Sequence, residues 1–143
     1  MTINDLPDVL SIERVSFQTP WSEGIFREEM LSPFCRTIVA TLDGRIVGYI
    51  DFAIIIDEVH VRNISVHRDY RKNGIGSLLL AEMMMIGRAR RGVWCTLEVR
   101  KSNVGAIMLY EKFGFEVRGI RPLYYRDTQE DALVMWADMQ TDR

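Results

Sequence analysis

The sequence predicts an α/β domain in which helices cover the faces of a mixed central sheet. Three observations point to this class: two helical segments precede the first strand, strands and helices then alternate, and an Asp-Gly pair divides a β-branched region. The 143 residues are 48% hydrophobic and 27% charged, which is typical of one globular domain. Because the chain contains no repeat, linker or low-complexity segment, we expect one domain over residues 1–143.

Charge and composition exclude several classes of protein. The chain has 18 basic and 20 acidic residues, a net charge of −2, which argues against a dedicated nucleic-acid binder. No apolar run reaches the ~20 residues that a membrane-spanning helix requires, and the first residues lack a secretory signal pattern. We therefore expect a cytoplasmic protein without a membrane or nucleic-acid partner. The two cysteines, Cys35 and Cys95, lack metal-ligand spacing, so neither a disulfide framework nor a bound metal is expected.

Two helices are predicted at the start of the chain. Asp5 can cap the first helix, whose apolar side comprises Leu6, Val9, Leu10 and Phe17. Ser22 can begin the second helix, which ends before Pro33. The second helix is predicted to bury Ile25, Phe26 and Met30.

Strands are predicted next. Thr37 to Ile56 is predicted to form a hairpin around the turn Leu42 to Arg45, because Asp-Gly between apolar runs favours a tight turn. Asp57-Glu58 reads as a second turn, Val59 to Val66 as a third strand, and His67 to Asn73 as a polar connection.

The remainder of the chain alternates between helices and strands. A helix is predicted after Gly74, with Ile75, Leu79, Met83 and Ile86 on one side and Gly92 as its terminator. Val93 to Val99 is predicted to be a strand and Asn103 to Phe113 a helix. The last predicted elements are an antiparallel pair, Phe115 to Ile120 and Ala132 to Met139, joined by Tyr124 to Asp131.

The segment Arg71 to Ser77 lies between a predicted strand and a predicted amphipathic helix. Its glycines allow backbone N–H groups to approach a ligand, and the first turn of a helix attracts anions. A dinucleotide fingerprint would need glycine where Leu79 stands, and the Gly-Lys-Ser/Thr of a P-loop is absent. The residues alone leave two interpretations open, an anion-binding loop and an ordinary tight turn.

This segment resembles the signature Arg/Gln-x-x-Gly-x-Gly/Ala of the GNAT superfamily of acetyl-CoA-dependent N-acetyltransferases. The resemblance continues through Leu97 to Arg100, Ser102-Asn103 and Ala106 to Phe115. Further similarity to the RimI type, the ribosomal-protein-alanine N-acetyltransferases, is found at Pro20 to Ser22, Tyr124-Tyr125 and Glu130 to Ala132. The resemblance implies the GNAT fold, in which a splayed strand pair of the mixed sheet holds acetyl-CoA, and it implies no metal.

The resemblance also implies which residues hold acetyl-CoA. The pantetheine arm would pair with the strand residues Ile64, Ser65 and Val66, and a backbone N–H near Val66 would polarise the thioester carbonyl. Asn103 would contact the cofactor, although an ordinary helix cap explains an asparagine there equally simply. The pyrophosphate would lie on the backbone of Lys72, Asn73, Gly74, Ile75, Gly76 and Ser77, with Arg71 and Lys72 helping to bind it.

Glu98 and Tyr110 are the candidate catalytic residues. On the predicted strand, Glu98 alternates away from Cys95, and it could accept the proton of an attacking amine. By similarity, Tyr110 would donate a proton to the leaving CoA thiolate. The alternatives are a solvent-facing glutamate and a core tyrosine. We expect direct transfer, because Cys95 faces away from Glu98 and no histidine is near it in sequence.

The RimI resemblance implies a protein N-terminus as substrate, namely the N-terminal alanine of a small-subunit ribosomal protein. Two alternatives remain open at this point: a GNAT enzyme acting on a small amine or on other protein N-termini, and a CoA-binding regulatory module without chemistry.

Overall fold

A six-stranded mixed sheet is the centre of the fold, as predicted. The computed structural model describes residues 1–140. The strands are hydrogen-bonded neighbours in the order β1-β2-β3-β4-β6-β5. They comprise β1 (Cys35–Leu42), β2 (Arg45–Ile55), β3 (Glu58–Val66), β4 (Trp94–Arg100), β5 (Glu116–Tyr125) and β6 (Glu130–Asp138).

Four α-helices accompany these strands in the described chain. They are α1 (Leu6–Ser16), α2 (Glu23–Leu31), α3 (Ile75–Ala89) and α4 (Val104–Lys112). Two short 3₁₀ turns, Ile3–Asp5 and Arg68–Tyr70, precede α1 and α3. Within residues 1–140, no helix is long and apolar enough to cross a membrane.

Strand pairing follows the predicted pattern. β1 and β2 are antiparallel, and their turn residues Asp43 and Gly44 have φ values of 50° and 78°, as a type I′ hairpin turn requires. β3 and β4 are parallel and pair at only three positions. These pairs are Glu58 with Trp94, Val59 with Cys95 and His60 with Thr96. β4 pairs with β6 along its whole length. The restricted β3–β4 pairing is the splayed pair expected of the predicted fold.

The chain forms two compact units. The first contains residues 1–53 and 62–83. Its core is built from α1, α2 and β2. The ring of Phe26 packs edge to face against Trp21 and also against Tyr49. The buried residues of this core are Leu6, Val9, Leu10, Ile12, Phe26 and Tyr49. The second unit contains residues 54–61 and 84 onward.

The end of α3 differs from the prediction. Gly92 was expected to terminate the helix through its own backbone freedom, but Arg91 is the residue with positive φ, at 64°. The N–H of Gly92 donates to the carbonyl of Gly87 at 2.8 Å, which closes a Schellman-type end. Gly92 is needed for space, because a Cβ there would lie 2.9 Å from the Gly87 oxygen.

Two predictions about the first helices are wrong. The Asp5 side chain does not cap α1; its carboxylate accepts the N–H of Thr2 at 2.7 Å within the preceding 3₁₀ turn. In α2, Ser22 is the cap as predicted, but Ile25 is 38% exposed and Glu29 is buried instead. The apolar spacing of α2 therefore identified the helix without identifying its buried side.

Two predicted connections are shorter or shifted. The turn before β3 uses Ile56 and Asp57, so Glu58 already belongs to the strand. The predicted connection Tyr124 to Asp131 shrinks to residues 126–129, because β5 extends to Tyr125 and β6 begins at Glu130. Tyr124 and Tyr125 are therefore strand residues.

Candidate active site

The predicted anion-binding loop joins the end of β3 to α3 in the first unit. The first main-chain bond of α3 runs from the N–H of Leu78 to the carbonyl of Gly74 at 3.0 Å. The N–H groups of Ile75, Gly76 and Ser77 precede it and therefore have no intrahelical acceptor. Positive φ values at Lys72 (64°) and Gly74 (78°) curl the chain just before these groups. Such a turn followed by free amides fits a pyrophosphate group.

The side chains of Arg71 and Asn73 shape this loop. Arg71 donates from Nε to the carbonyl of Val66 at 2.9 Å and from Nη2 to the Ser16 hydroxyl at 3.4 Å. Asn73 donates from Nδ2 to the carbonyls of Tyr70 and Arg71 at 3.2 and 3.3 Å. The exposed Lys72 is thus the loop side chain best placed to offer a positive charge to a ligand.

The predicted pantetheine strand is anchored on α1. Ser65 is buried, and its hydroxyl donates to the Ser16 hydroxyl at 2.6 Å. Its neighbours Ile64 and Val66 are half-buried. The side chain of Ser65 is therefore committed to a protein contact, and any ligand contact at this position falls to its main chain.

Sequence reasoning missed Glu13, a buried carboxylate of α1. Glu13 accepts hydrogen bonds from the Tyr49 hydroxyl, from Asn63 Nδ2 at 2.7 Å and from the N–H of Trp21 at 2.8 Å. Burial raises the pKa of Tyr49 well above its usual range, and the Glu13 charge raises it further, so this phenol remains a donor. A signal was present: Glu13 follows Val9 by four residues, on the apolar side of the helix.

Glu98 lies on β4 in the second unit. Its side chain is 32% exposed, and its Oε1 is 3.4 Å from Arg121 Nη2 of β5. The predicted alternation of β4 is confirmed on the opposite side, where Cys95, Leu97 and Val99 are all buried. Glu98 is therefore a partly shielded carboxylate, held by one exposed arginine on the face away from Cys95.

Tyr110 lies on α4 and is only 6% exposed. Burial raises the pKa of its phenol, so the group is protonated at neutral pH. The Tyr110 hydroxyl makes no hydrogen bond to the described residues, so its proton is not committed to another protein group.

Asn103 caps α4, because its Oδ1 accepts the N–H of Ala106 at 3.2 Å. This bond confirms that Asn103 is a helix cap, while its contact with acetyl-CoA stays a prediction. Glu98, Asn103 and Tyr110 all belong to the second unit, whereas Ile64 to Ser77 belong to the first.

An ion-pair network orders the loop between β5 and β6. Arg100 of β4 binds both carboxylate oxygens of Asp127, at 2.7 and 2.9 Å, and donates to the Thr128 hydroxyl at 2.8 Å. Its guanidinium also lies 4.1 Å from the centre of the Tyr125 ring. The arginine holds the pKa of Asp127 below its usual range. These contacts could not be predicted from the sequence, because they join residues more than 20 positions apart.

A model of the Acetyltransferase (GNAT) family matches residues 6–115. The chain belongs to the GNAT family. The ribosomal protein bS18-alanine N-acetyltransferase of Escherichia coli strain K12 is 37% identical over 136 residues, which cover 92% of this chain and 89% of the relative. The resemblance to the RimI type and the assignment as an acetyl-CoA-dependent acyltransferase are confirmed.

Solved structures agree with this assignment. The crystal structure of the Escherichia coli ribosomal-protein-S18-alanine N-acetyltransferase has a TM-score of 0.91 and 32% identity, over 100% of this chain and 93% of that chain. A Bacillus anthracis str. Ames acetyltransferase in complex with acetyl coenzyme A has a TM-score of 0.70 and 26% identity, over 79% and 67% of the two chains. The GNAT fold predicted for this chain is therefore confirmed.

Proposed function

We propose that this GNAT acetyltransferase moves the acetyl group of acetyl-CoA to the N-terminal alanine of a small-subunit ribosomal protein of the bS18 type. The observation that carries the proposal is the similarity, across nearly the full length of both chains, to a relative named for that reaction. The substrate is then a protein N-terminus, reached in the cytoplasm without a membrane or nucleic-acid partner.

The energetics of the acceptor favour an α-amine. An amine must lose a proton before its lone pair can attack the thioester. Deprotonation at pH 7 costs about 1.2 kcal/mol for an α-amino group and about 4.6 kcal/mol for a lysine, from their ordinary pKa values. A single carboxylate is a sufficient base for an α-amino acceptor but a weak base for a lysine acceptor.

The residues of the anion-binding loop fit acetyl-CoA. Its pyrophosphate would lie on the free amides of Ile75 to Ser77, with Lys72 adding a positive charge, while Arg71, Asn73 and Gly74 keep the loop in shape. The main chain of Ile64 to Val66 would pair with the pantetheine arm, and Asn103 would contribute a further contact. When bound, acetyl-CoA supplies the activated acyl group.

Glu98 and Tyr110 would carry the proton transfers. Glu98, directly or through a water molecule, would accept the amine proton as the new N–C bond forms. Tyr110 would give its proton to the sulfur as the C–S bond breaks. Two observations support these roles: Glu98 is partly shielded from solvent, and Tyr110 is a buried, protonated phenol whose hydroxyl makes no hydrogen bond to the described residues.

A peptide series tests the substrate assignment. Three peptides would share one basic sequence: the first has a free N-terminal alanine, the second a blocked N-terminus, and the third a blocked N-terminus and an internal lysine. A polyamine would be the fourth substrate. Thiol release from acetyl-CoA would be followed for each. We expect turnover with the free alanine only. Transfer to lysine or the polyamine alone would indicate the small-amine alternative, and calorimetric CoA binding without any turnover would indicate a regulatory module.

A matched pair of variants tests the base. Glu98→Gln should lower kcat by about 10²–10⁴ while the dissociation constant for acetyl-CoA stays unchanged. Glu116 is the control, because it is another sheet glutamate paired with an arginine, Arg118, at 3.4 Å. Glu116→Gln should retain wild-type turnover. Equal rates for the two variants would remove Glu98 from the mechanism.

A further inference from the structure

A polar cluster in the first unit has no part in the chemistry above. It consists of Glu29 on α2, Cys35 at the start of β1 and Asp51 on β2, and one ligand atom from each side chain lies within 4.8 Å of the others. The fold creates the cluster because α2 leads directly into β1, and Thr37 of β1 is the register partner of Asp51. Cys35 lies two residues before Thr37 and so falls on the same face of the strand.

The cluster contains two buried carboxyl groups, and one cation, Arg62, pairs with them. Glu29 is 6% exposed and Asp51 is 0% exposed. Arg62 Nη2 pairs with Glu29 Oε1 at 2.6 Å, and the Thr37 hydroxyl donates to Asp51 Oδ2 at 2.8 Å. The other oxygen of Asp51, Oδ1, is fully buried without a partner in the described chain. A buried, unpartnered carboxylate oxygen is costly unless a proton or a cation satisfies it.

The donor set selects the kind of cation. Mg²⁺ and Ca²⁺ prefer oxygen ligands alone, whereas a thiolate with two carboxylates suits Zn²⁺. Tetrahedral zinc with bonds of about 2.0–2.3 Å separates its donors by about 3.3–3.6 Å. The three donor atoms of the cluster lie within 4.8 Å of one another, so zinc would draw them closer together. Cys35 is half-buried, which gives an ion a route inward and leaves room for water as the fourth ligand.

We propose that Glu29, Cys35 and Asp51 form a zinc-binding site. Binding releases the proton of the Cys35 thiol, and the proton of the Asp51 carboxyl wherever it is held, to solvent, and the metal becomes the partner that Asp51 Oδ1 lacks. Arg62 keeps Glu29 Oε1, which leaves the second oxygen of Glu29 for the metal.

Cobalt provides a spectroscopic test on the full-length protein, reduced and cleared of metal with a chelator. We expect one Co²⁺ per chain with a thiolate-to-cobalt charge-transfer band, displaced by Zn²⁺. Cys35→Ser should abolish the band, and Asp51→Asn should weaken Zn²⁺ binding at least about tenfold. Asp51→Asn is suited to the test because it removes a buried charge with almost no change in shape, so the fold should survive.

Cys95→Ser is the matched control, since Cys95 is the other cysteine of the chain and lies outside the cluster. This variant should keep the band and the wild-type affinity. The proposal is overturned if folded wild-type protein shows no band with Co²⁺ and does not retain Zn²⁺. It is equally overturned if Cys35→Ser and Asp51→Asn bind the metal as the wild type does.

Discussion

Asp51 makes the stability of the folded chain depend on pH. Burial, together with the nearby Glu29 charge, raises the pKa of Asp51 from 3.8 to about 7. Each tenfold change in an acidity constant corresponds to about 1.4 kcal/mol, so ionising this buried group costs the folded state about 4 kcal/mol. The side chain is completely inaccessible, and solvent therefore does not screen this cost.

The direction of the effect follows from proton binding. Between about pH 4 and pH 7 the folded chain keeps the Asp51 proton while the unfolded chain has lost it. The free energy of unfolding therefore falls as pH rises through this window, by about 1.4 kcal/mol per pH unit. Below the window the stabilising contribution is complete, and above it the loss is complete. Asp51→Asn removes the titrating group, so the variant should be the more stable protein at pH 8.

Urea denaturation of wild type and Asp51→Asn across pH 4–8, with a chelator present, measures this effect. The difference in unfolding free energy should grow by about 4 kcal/mol in favour of the variant from low to high pH. Asp43→Asn is the control, because Asp43 is exposed in the hairpin turn at φ 50°, a conformation that asparagine also adopts readily. A constant difference between wild type and Asp51→Asn would refute the reasoning.

Three further predictions concern the active site and the packing. Tyr110→Phe should lower kcat at least about tenfold without changing the thermal midpoint by more than a few degrees, which stopped-flow thiol release and thermal denaturation would measure. Gly74→Ala forces a side chain to φ 78°, so it should cost about 1–2 kcal/mol in the loop and weaken acetyl-CoA binding in calorimetry. Gly92→Ala should destabilise the fold by about 1–3 kcal/mol, because its Cβ meets the Gly87 oxygen. Gly105→Ala on α4 is the control, because its Cβ meets nothing within 4 Å, so this variant should not be destabilised. Urea denaturation measures both variants.

Most of the fold could be predicted because its signals are local. The Asp-Gly turn and the Ser22 cap each depend on residues within a few positions of one another, and the structure confirms both. In β4 the predicted apolar face is buried, but Thr96 of the opposite face is buried as well. The errors also have local causes. Apolar spacing in α2 did not reveal that Glu29, rather than Ile25, is buried, because the burial of Glu29 depends on a distant partner, Arg62.

The candidate site was predictable where one motif contains it and unpredictable where it is assembled across the chain. In the loop from Arg71 to Ser77, Gly74 has the positive φ that glycine favours, but the second positive φ belongs to Lys72 rather than to Gly76. No local pattern indicates, however, that the Arg71 side chain binds Val66 and Ser16. The cluster of Glu29, Cys35 and Asp51 could not be predicted for the same reason: these residues have no metal-ligand spacing and meet only after the β1–β2 hairpin has formed.

The contacts of α1 show why a motif alone cannot define the cofactor site. Ser16 accepts the Ser65 hydroxyl from β3 and a guanidinium N–H from Arg71, so one serine connects the proposed pantetheine strand and the phosphate loop to α1. Glu13, one turn earlier, fixes Asn63 on the same strand. Because these bonds span about 50 residues, the shape of the loop is determined partly by a helix that precedes every strand. Residues of α1 therefore help to shape the strand and the loop that are proposed to hold acetyl-CoA.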